Sequence, residues 1–354
     1  MRGLFDDEPV SESPERDRSD LPALPIIAGI DEAGLGPMLG PLTMGWSALE
    51  FRGALPDDSA AAPWTLLSPA VRETVPKRKD PKQDGLIVAD SKVLFDRSVK
   101  GHERLEFTAL TFMQRASSHP ILHARDLFRS GPPSLCTRQE VIADHPWYEC
   151  LTDIPRWTSA GAIDAAQSSL GEALQRIDAS VISAGVRIVP AGELNKSFAQ
   201  TSNKSTTVWQ HCHAIMQHLF EQHGEAGLDL VVDRQGGRTH YAALLREGFP
   251  EAKVRTLREG VGGCEYHIRQ GSRVMRLRLR ERAEELSFCV ALGSCFAKYA
   301  RELSMTAFND YFAQFQSELR PCAGYVTDAR RWLKDAASAL KESAVPANVL
   351  IRDR

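Results

Sequence analysis

Two adjacent carboxylates, Asp31 and Glu32, end an apolar stretch of the chain and are followed by a turn rich in glycine and proline. Neighbouring carboxylates repel each other, so burying them together requires a bound cation or a set of hydrogen-bond donors. A third acid, Asp233, stands at the end of a second apolar stretch. Mg²⁺ prefers carboxylate, water and phosphate oxygens, and a pair of such ions promotes phosphodiester hydrolysis. The three acids are therefore candidate ligands of a metal centre, although an isolated Asp-Glu pair is also typical of a solvated strand end.

These acids can meet only if the elements that carry them lie side by side. Residues 25–30 are predicted to form a buried strand with residues 42–51 as its hairpin partner, and residues 228–232 form a second buried strand. Alternation over residues 186–189 predicts a further strand. Between it and the strand over residues 228–232, apolar residues recur at helical spacing over residues 205–222, which predicts an amphipathic helix. A strand, a helix and a strand in this order favour an α/β fold with a partly parallel sheet. Acids at the ends of neighbouring strands would then converge at one edge of the sheet.

Further along, residues 264–268 and 274–279 are predicted to form an added hairpin, followed by a long helix over residues 288–315. In the second strand of the hairpin, arginines alternate with apolar residues, the period of a half-buried strand. The face that carries them is expected to be either solvated or in contact with phosphate. The arginines are Arg276, Arg278 and Arg280.

The composition is that of an ordinary globular chain, with 43% hydrophobic and 25% charged residues among 354. A formal net charge of −3 argues against nucleic-acid binding by bulk positive charge but allows a local basic groove. Seven cysteines without a C-x-x-C pair indicate reduced thiols, and we expect a cytoplasmic monomer with no export signal and no membrane span. Three histidines on one predicted helix lack the H-E-x-x-H pattern of a metal site, so a structural or surface role is expected for His211, His213 and His218.

Five segments, in order along the chain, resemble the motifs of type 2 ribonucleases H, the ribonuclease HII family. Together they cover most of residues 25–335. The segments are Gly29 to Pro37 with Gly40-Pro41; Asp90-Ser91-Lys92 with Leu94; Leu230 to Asp233 with Gly236 and with Phe249 to Val254; Ser294 to Glu302; and Gly324-Tyr325 with Asp328 and Trp332.

The resemblance implies a ribonuclease H-like α/β fold, with a mixed sheet flanked by helices and a C-terminal helical extension. It implies a metal-dependent endonuclease that uses two Mg²⁺ or Mn²⁺ ions to hydrolyse the RNA strand of RNA–DNA hybrids, including single ribonucleotides embedded in duplex DNA. The products would carry 5′-phosphate and 3′-hydroxyl ends. By the same likeness Asp31, Glu32 and Asp233 would hold the ions, and the residues that bind the substrate would be Gly34, Leu35, Gly36, Asp90, Ser91, Lys92 and Tyr325.

The chain departs from the family pattern at two positions. The fourth acid of the family, an aspartate, aligns with Glu284, and Glu285 is one register step away. The arginine of the family's G-R-G triplet is replaced by Leu35, which has no donor for a phosphate. We therefore expect Glu284 to complete the catalytic and metal-binding acids, and we expect weaker binding or relaxed selectivity at the turn.

Several alternatives stay open at this point. Asp90 and Ser91 could cap a helix, with Lys92 on the surface, and Tyr325 could be an amphipathic aromatic residue before a helix. A catalytically weakened hybrid-binding homologue, or another ribonuclease H-like nuclease that acts on DNA, remains the rival function. The expected organisation is a disordered leader over residues 1–24, a catalytic domain over 25–310 with an insertion at about 119–174, and a C-terminal helical segment over 311–354.

Overall fold

The computed structural model describes residues 24–53, 55, 59–75 and 85–353, so the predicted leader lies outside the described residues except for its last position. The strands are β1 Ile26–Ala33, β2 Leu42–Phe51, β3 Val71–Arg72, β4 Leu86–Ile87, β5 Ala179–Val189, β6 Leu228–Asp233, β7 Lys253–Arg258, β8 Cys264–Gln270 and β9 Arg273–Arg280. The helices are α1 Ala62–Leu66, α2 Ser91–Leu94, α3 Val99–Ala116, α4 Gln139–Ala143, α5 Ala160–Arg176, α6 Ala191–Thr201, α7 Lys204–His223, α8 Ala242–Gly248, α9 Phe288–Ala313, α10 Val326–Asp335, α11 Ala337–Ser343 and α12 Ala347–Leu350.

Seven of these strands form one mixed sheet in the order β5-β2-β1-β6-β9-β8-β7. Strand β2 runs antiparallel to both β1 and β5, whereas β6 runs parallel to β1 and to β9. The hairpin of β8 and β9 is antiparallel, as the sequence predicts, and β7 adds an antiparallel edge strand. The expected α/β class, with a mixed sheet flanked by helices, is therefore confirmed.

The long helix α9 packs against one face of the sheet, across β1 and β2. Glycines permit this close contact: a Cβ at Gly45 would lie 2.0 Å from the carbonyl oxygen of Gly293, and one at Gly29 would lie 2.2 Å from the amide nitrogen of Val290. Real Cβ atoms do not approach so closely, so any larger residue would push the helix away. The glycines thus hold α9 directly over the strand that carries Asp31.

Helix α7 covers the opposite face of the sheet. Its buried side presents Cys212, Ile215 and Leu219 to the core, and its bounds extend the predicted helix by one residue at each end. None of the helices in the described ranges combines the length and the apolar character needed to cross a bilayer.

The segment over residues 119–174 packs onto α9. The Trp147 ring lies 5.3 Å from the Phe308 ring, which in turn lies 4.9 Å from the Trp332 ring of α10. These aromatic contacts join the segment and the C-terminal helices to one core. Helix α9 continues through residue 310, where the sequence places a domain boundary.

Two local predictions need correction. Strand β5 begins at Ala179, so the predicted strand over residues 186–189 is only its last part. Two of the arginines of β9 are not simply solvated, because Arg276 and Arg278 both hydrogen-bond the buried carboxylate of Asp229 on β6. The pairing of Arg276 and Arg278 with a buried carboxylate cannot be recognised from the alternation along β9, since Asp229 lies on another strand.

Candidate metal centre

Three acids meet at the carboxyl ends of the two central parallel strands. The register pairs Ile30 of β1 with Val232 of β6, so the next residue on each strand, Asp31 or Asp233, emerges at the same edge of the sheet. One carboxylate oxygen from each of Asp31, Glu32 and Asp233 lies within 4.8 Å of the others. The predicted convergence of the three acids is therefore observed in the structure.

The fourth predicted acid, Glu284, lies beside this group. The carboxylate of Asp233 accepts a hydrogen bond from the amide of Ala283 at 3.0 Å, which draws the following residue toward the acids. Glu284 is buried, with 8% of its surface exposed, whereas the Glu285 side chain is 46% exposed and pairs with Arg282. The structure thus brings Glu284, and not Glu285, to the acid cluster, which we define as Asp31, Glu32, Asp233 and Glu284.

Burial and mutual repulsion make these carboxyl groups hard to ionise. Burial, together with the negative charges of Asp233 and Glu284, raises the pKa of Glu32 to about 7. Burial also raises the pKa of Asp233 to about 6, with Glu284 again contributing. The pKa of Asp31 is raised well above its ordinary value by burial and by the charges of Glu32 and Asp233. A set of acids in this state favours a cation that compensates for their charge.

Lys92 supplies part of that compensation. Its ammonium lies 3.8 Å from a carboxylate oxygen of Glu284 and 3.7 Å from one of Asp90, although 81% of its side chain is exposed. Its charge lowers the pKa of both Glu32 and Asp233. The position leaves the lysine open to solvent above the acid cluster, where it can also meet a substrate anion.

Of the two residues before the lysine, Asp90 has the capping role that the sequence left open, whereas Ser91 is the first residue of the helix. Asp90 caps α2 by accepting a hydrogen bond from the amide of Lys92 at 2.9 Å. Ser91 is buried, and its hydroxyl lies 2.9 Å from the hydroxyl of Ser294 on α9. The hydroxyl of Ser294 also lies near the carboxylate of Asp31 and lowers its pKa. A chain of polar contacts therefore connects α2 with the acid cluster.

The glycine turn after Glu32 is held by two buried arginines. Gly34 has φ of +86°, and a Cβ there would lie 2.7 Å from the carbonyl oxygen of Pro41, so the position requires glycine. Arg301 of α9 donates to that same carbonyl at 2.5 Å and to Leu39 at 3.3 Å. Arg352 donates to the carbonyls of Gly34 and Gly40.

The remaining predicted substrate residues surround this turn. Leu35 is half-buried against the apolar core and lines a cavity of about 250 Å³ together with Gly36 and Arg352. Gly36 is exposed, and no protein atom lies within 4 Å of a Cβ built there. Tyr325 is 46% exposed and directly precedes α10. Its neighbour Gly324 accepts backbone hydrogen bonds from residues 38 and 39 of the turn, so the structure brings the tyrosine and the turn together.

Sequence reasoning assigned no role to two residues that shape the site. Ser294 belongs to a recognised motif, and its position there was the available indication. Arg352 stands near the end of the sequence with no motif around it, and only the folded chain brings it to the turn. The three histidines of α7 have surroundings that fit a structural role. His211 accepts a hydrogen bond from Arg187, His213 packs against Phe249, and His218 packs against Trp46.

Comparison with known proteins finds no matching family model and no matching curated protein. Solved structures do match over nearly the whole chain. The PCNA:RNase HII complex from Archaeoglobus fulgidus is 14% identical with a TM-score of 0.38, covering 93% of this chain and 94% of that chain. Ribonuclease H2 from Pyrococcus horikoshii OT3 is 14% identical with a TM-score of 0.35, covering 92% of each chain. Bst-RNase HIII in complex with Mn²⁺ is 11% identical with a TM-score of 0.37, covering 99% of this chain and 73% of that chain.

All three structures carry ribonuclease H names, so the resemblance expected from the sequence motifs is confirmed as a resemblance. At these identities and TM-scores the likeness assigns no activity to this chain.

Proposed function

We propose that this protein is a metal-dependent endonuclease of the type 2 ribonuclease H class. It hydrolyses the RNA strand of RNA–DNA hybrids, including single ribonucleotides embedded in duplex DNA, and leaves 5′-phosphate and 3′-hydroxyl ends. The observation that carries the proposal is the meeting of Asp31, Glu32 and Asp233, with oxygens within 4.8 Å of one another, at the edge of the sheet. Such a group of hard oxygen ligands suits Mg²⁺ or Mn²⁺.

The raised pKa values of the acids support the proposal that divalent ions bind there. Three carboxyl groups with pKa values raised by burial and repulsion destabilise one another when ionised, and the single ammonium of Lys92 offsets only part of that charge. Asp31, Glu32, Asp233 and Glu284 would hold two ions. When bound, these ions would supply activation of a water nucleophile and neutralisation of the leaving oxygen.

The chain's own residues supply position and charge. Ser294 lies near the carboxylate of Asp31 and favours its ionised form, and the amide of Ala283 orients the carboxylate of Asp233. Lys92, exposed above the cluster, would contact the phosphate beside the scissile bond. Helix α9 packs closely on the strands beneath the acids, so a substrate would approach the carboxylates from the ends of the strands.

Selectivity for a ribonucleotide would come from the turn and the tyrosine beside it. Gly36 leaves its backbone open to close approach, so main-chain groups could meet a 2′-hydroxyl. Tyr325 is exposed next to the turn and can stack on a sugar or hydrogen-bond it. Leu35 supplies no charged donor, so we expect phosphate binding at the turn to be weaker than an arginine would provide.

Cleavage assays on three matched duplexes test the proposal. The duplexes are an RNA–DNA hybrid, a DNA duplex with one embedded ribonucleotide and an all-DNA duplex, each with Mg²⁺ or Mn²⁺. We expect incision on the 5′ side of the ribonucleotide and no cut in the all-DNA duplex. Glu284→Gln should lower kcat more than about 100-fold, whereas Glu285→Gln, an exposed acid one position away, should retain wild-type activity.

Each rival function predicts a different outcome of the same assays. A hybrid-binding homologue would bind the hybrid without turnover, and Asp31→Asn would leave that binding unchanged. A nuclease of the same fold that acts on DNA would cut the all-DNA duplex. Failure of the folded chain to cut any of the three duplexes in either metal would refute the enzymatic function.

We also propose that residues 25–310 carry the catalytic residues, that residues 311–354 form a helical segment packed on them, and that the protein is a monomer with a cytoplasmic location. Limited proteolysis tests the packing of that segment, and light scattering tests the monomeric state.

A further inference from the structure

Strands β7, β8 and β9 separate apolar and basic side chains onto opposite faces of the sheet. Their apolar residues, such as Tyr266 and Met275, belong to the core that α7 covers. On the other face, Lys253 lies opposite Arg269, and Arg255 lies opposite His267, which lies opposite Arg276. We define the basic sheet face as Lys253, Arg255, Arg258, Arg269, Arg276, Arg278 and Arg280.

Positive charge greatly exceeds negative charge on this face. Among the described residues of these strands and of β6, the carboxylates on the same face are Glu265, Asp229 and Asp233, the last of which belongs to the acid cluster. Asp229 is buried and pairs with Arg276 and Arg278, and Glu265 lies 4.0 Å from Arg280. The other four members are exposed to solvent.

The crowding of cations is costly to the isolated protein. Burial lowers the pKa of Arg280, and the charges of Arg258 and Arg278 lower it further. Like charges on neighbouring strands destabilise a sheet, and the chain as a whole is slightly acidic, with a net charge of −3. Concentrating cations on one face of such a chain favours an anionic partner at that face.

The position of the face relative to the acid cluster identifies the partner. Arg280 pairs in register with Asp233, so the basic sheet face begins where the acid cluster ends. From β6 to the edge strand β7 the sheet extends by three strand spacings, about 14 Å. Duplex nucleic acid carries about one charge per 1.7 Å of its axis, so a duplex crossing these strands would place several phosphates over the cations.

We propose that the basic sheet face binds the sugar–phosphate backbone of the substrate duplex, on one side of the bond that lies at the acid cluster. This inference rests on the proposed function and extends it by stating where the duplex runs. It also gives a use to the hairpin and the edge strand, which contribute no acid to the cluster.

Duplex binding without metal tests this inference separately from catalysis. The variant is Lys253→Gln/Arg255→Gln/Arg269→Gln, which changes only exposed side chains. The control is Arg115→Gln/Arg129→Gln/Arg138→Gln, three exposed cations elsewhere on the surface. Dissociation constants for a 20-base-pair RNA–DNA hybrid are measured in EDTA at several salt concentrations, with circular dichroism to verify folding.

We expect the face variant to bind about 10- to 100-fold more weakly than wild type at low salt, with a slope of log K against log salt reduced by about 2 to 3. The control variant should keep the wild-type slope. The inference is overturned if the face variant also keeps the wild-type slope, or if the slope falls equally in both variants. An acidic protein would then become the better candidate for this face. If the triple variant does not fold, the double variant Lys253→Gln/Arg269→Gln provides the same comparison.

The two proposals fail in distinguishable ways. Absence of cleavage by wild type together with a reduced slope in the face variant would overturn the enzymatic function and retain the binding face. Normal cleavage by wild type together with an unchanged slope in the face variant would retain the enzymatic function and overturn the binding face.

Discussion

Replacing Glu32 with glutamine should stabilise the metal-free protein at neutral and alkaline pH. In the folded chain this carboxylate is buried beside Asp233 and Glu284, and its pKa is raised from 4.5 to about 7. A carboxyl group whose pKa is higher in the folded state is ionised more easily in the unfolded state. The wild-type protein therefore loses stability as the pH rises from about 4.5 through about 7, and the glutamine variant does not suffer that loss.

The size of the effect follows from the pKa shift. A rise from 4.5 to about 7 corresponds to a ceiling of about 3 kcal/mol, at about 1.4 kcal/mol for each pKa unit. Part of this is relieved because the neighbouring acids titrate together with Glu32, so we expect about 1–2 kcal/mol. For a chain of this size that corresponds to a Tm higher by about 1–3 °C.

Thermal unfolding in EDTA between pH 5 and pH 8 measures the effect, with Glu285→Gln as the control. The Tm of Glu32→Gln should exceed that of wild type at pH 8 and approach it at pH 5, while Glu285→Gln follows wild type throughout. Added Mn²⁺ should then raise the wild-type Tm, because an ion at 100 times its Kd contributes about 2.7 kcal/mol, and should raise that of Glu32→Gln much less. A variant that is no more stable than wild type at pH 8, or that keeps the full response to Mn²⁺, would refute this reasoning.

Three further changes have defined expectations. Gly45→Ala should lower the free energy of unfolding in urea by more than about 2 kcal/mol, since its Cβ would lie 2.0 Å from the Gly293 oxygen; Gly53→Ala, with no atom within 4 Å, should not, and equal effects would contradict the close packing of α9. Arg352→Met leaves two carbonyls of the glycine turn without their donor, so amide hydrogen exchange in residues 34–41 should accelerate. Unchanged protection would mean that Arg352 does not hold the turn. Tyr325→Phe should keep affinity for the hybrid but lower the preference for a ribonucleotide over a deoxynucleotide about 10-fold; no change in kcat/KM would mean that the hydroxyl has no part in selectivity.

Much of the candidate site could be predicted because it depends on where strands end. Apolar runs that stop at Asp31 and at Asp233 specify two buried strands, and acids at the ends of neighbouring strands meet at one edge of the sheet. Helix α7 follows from a periodic apolar pattern, and its observed bounds differ from the predicted ones by one residue at each end. These features are local, so the sequence by itself determined them.

Other features depended on contacts between residues that are distant in the chain. Glu284 and Glu285 are adjacent acids, and only the folded chain shows that Glu284 is buried beside the cluster whereas Glu285 is exposed and pairs with Arg282. Arg352 donates a hydrogen bond to Gly34, which lies 318 residues before it in the chain. No periodic pattern in the sequence predicts that contact.

The alternating arginines of β9 show which features the sequence determines and which depend on the fold. The sequence by itself determined that they share one face, because side chains alternate along a strand. Only the tertiary structure decided that Arg276 and Arg278 pair with Asp229 and that β7 and β8 extend the same face with further cations. The physical reason is that alternation is a property of one strand, whereas charge pairing is a property of the register between strands.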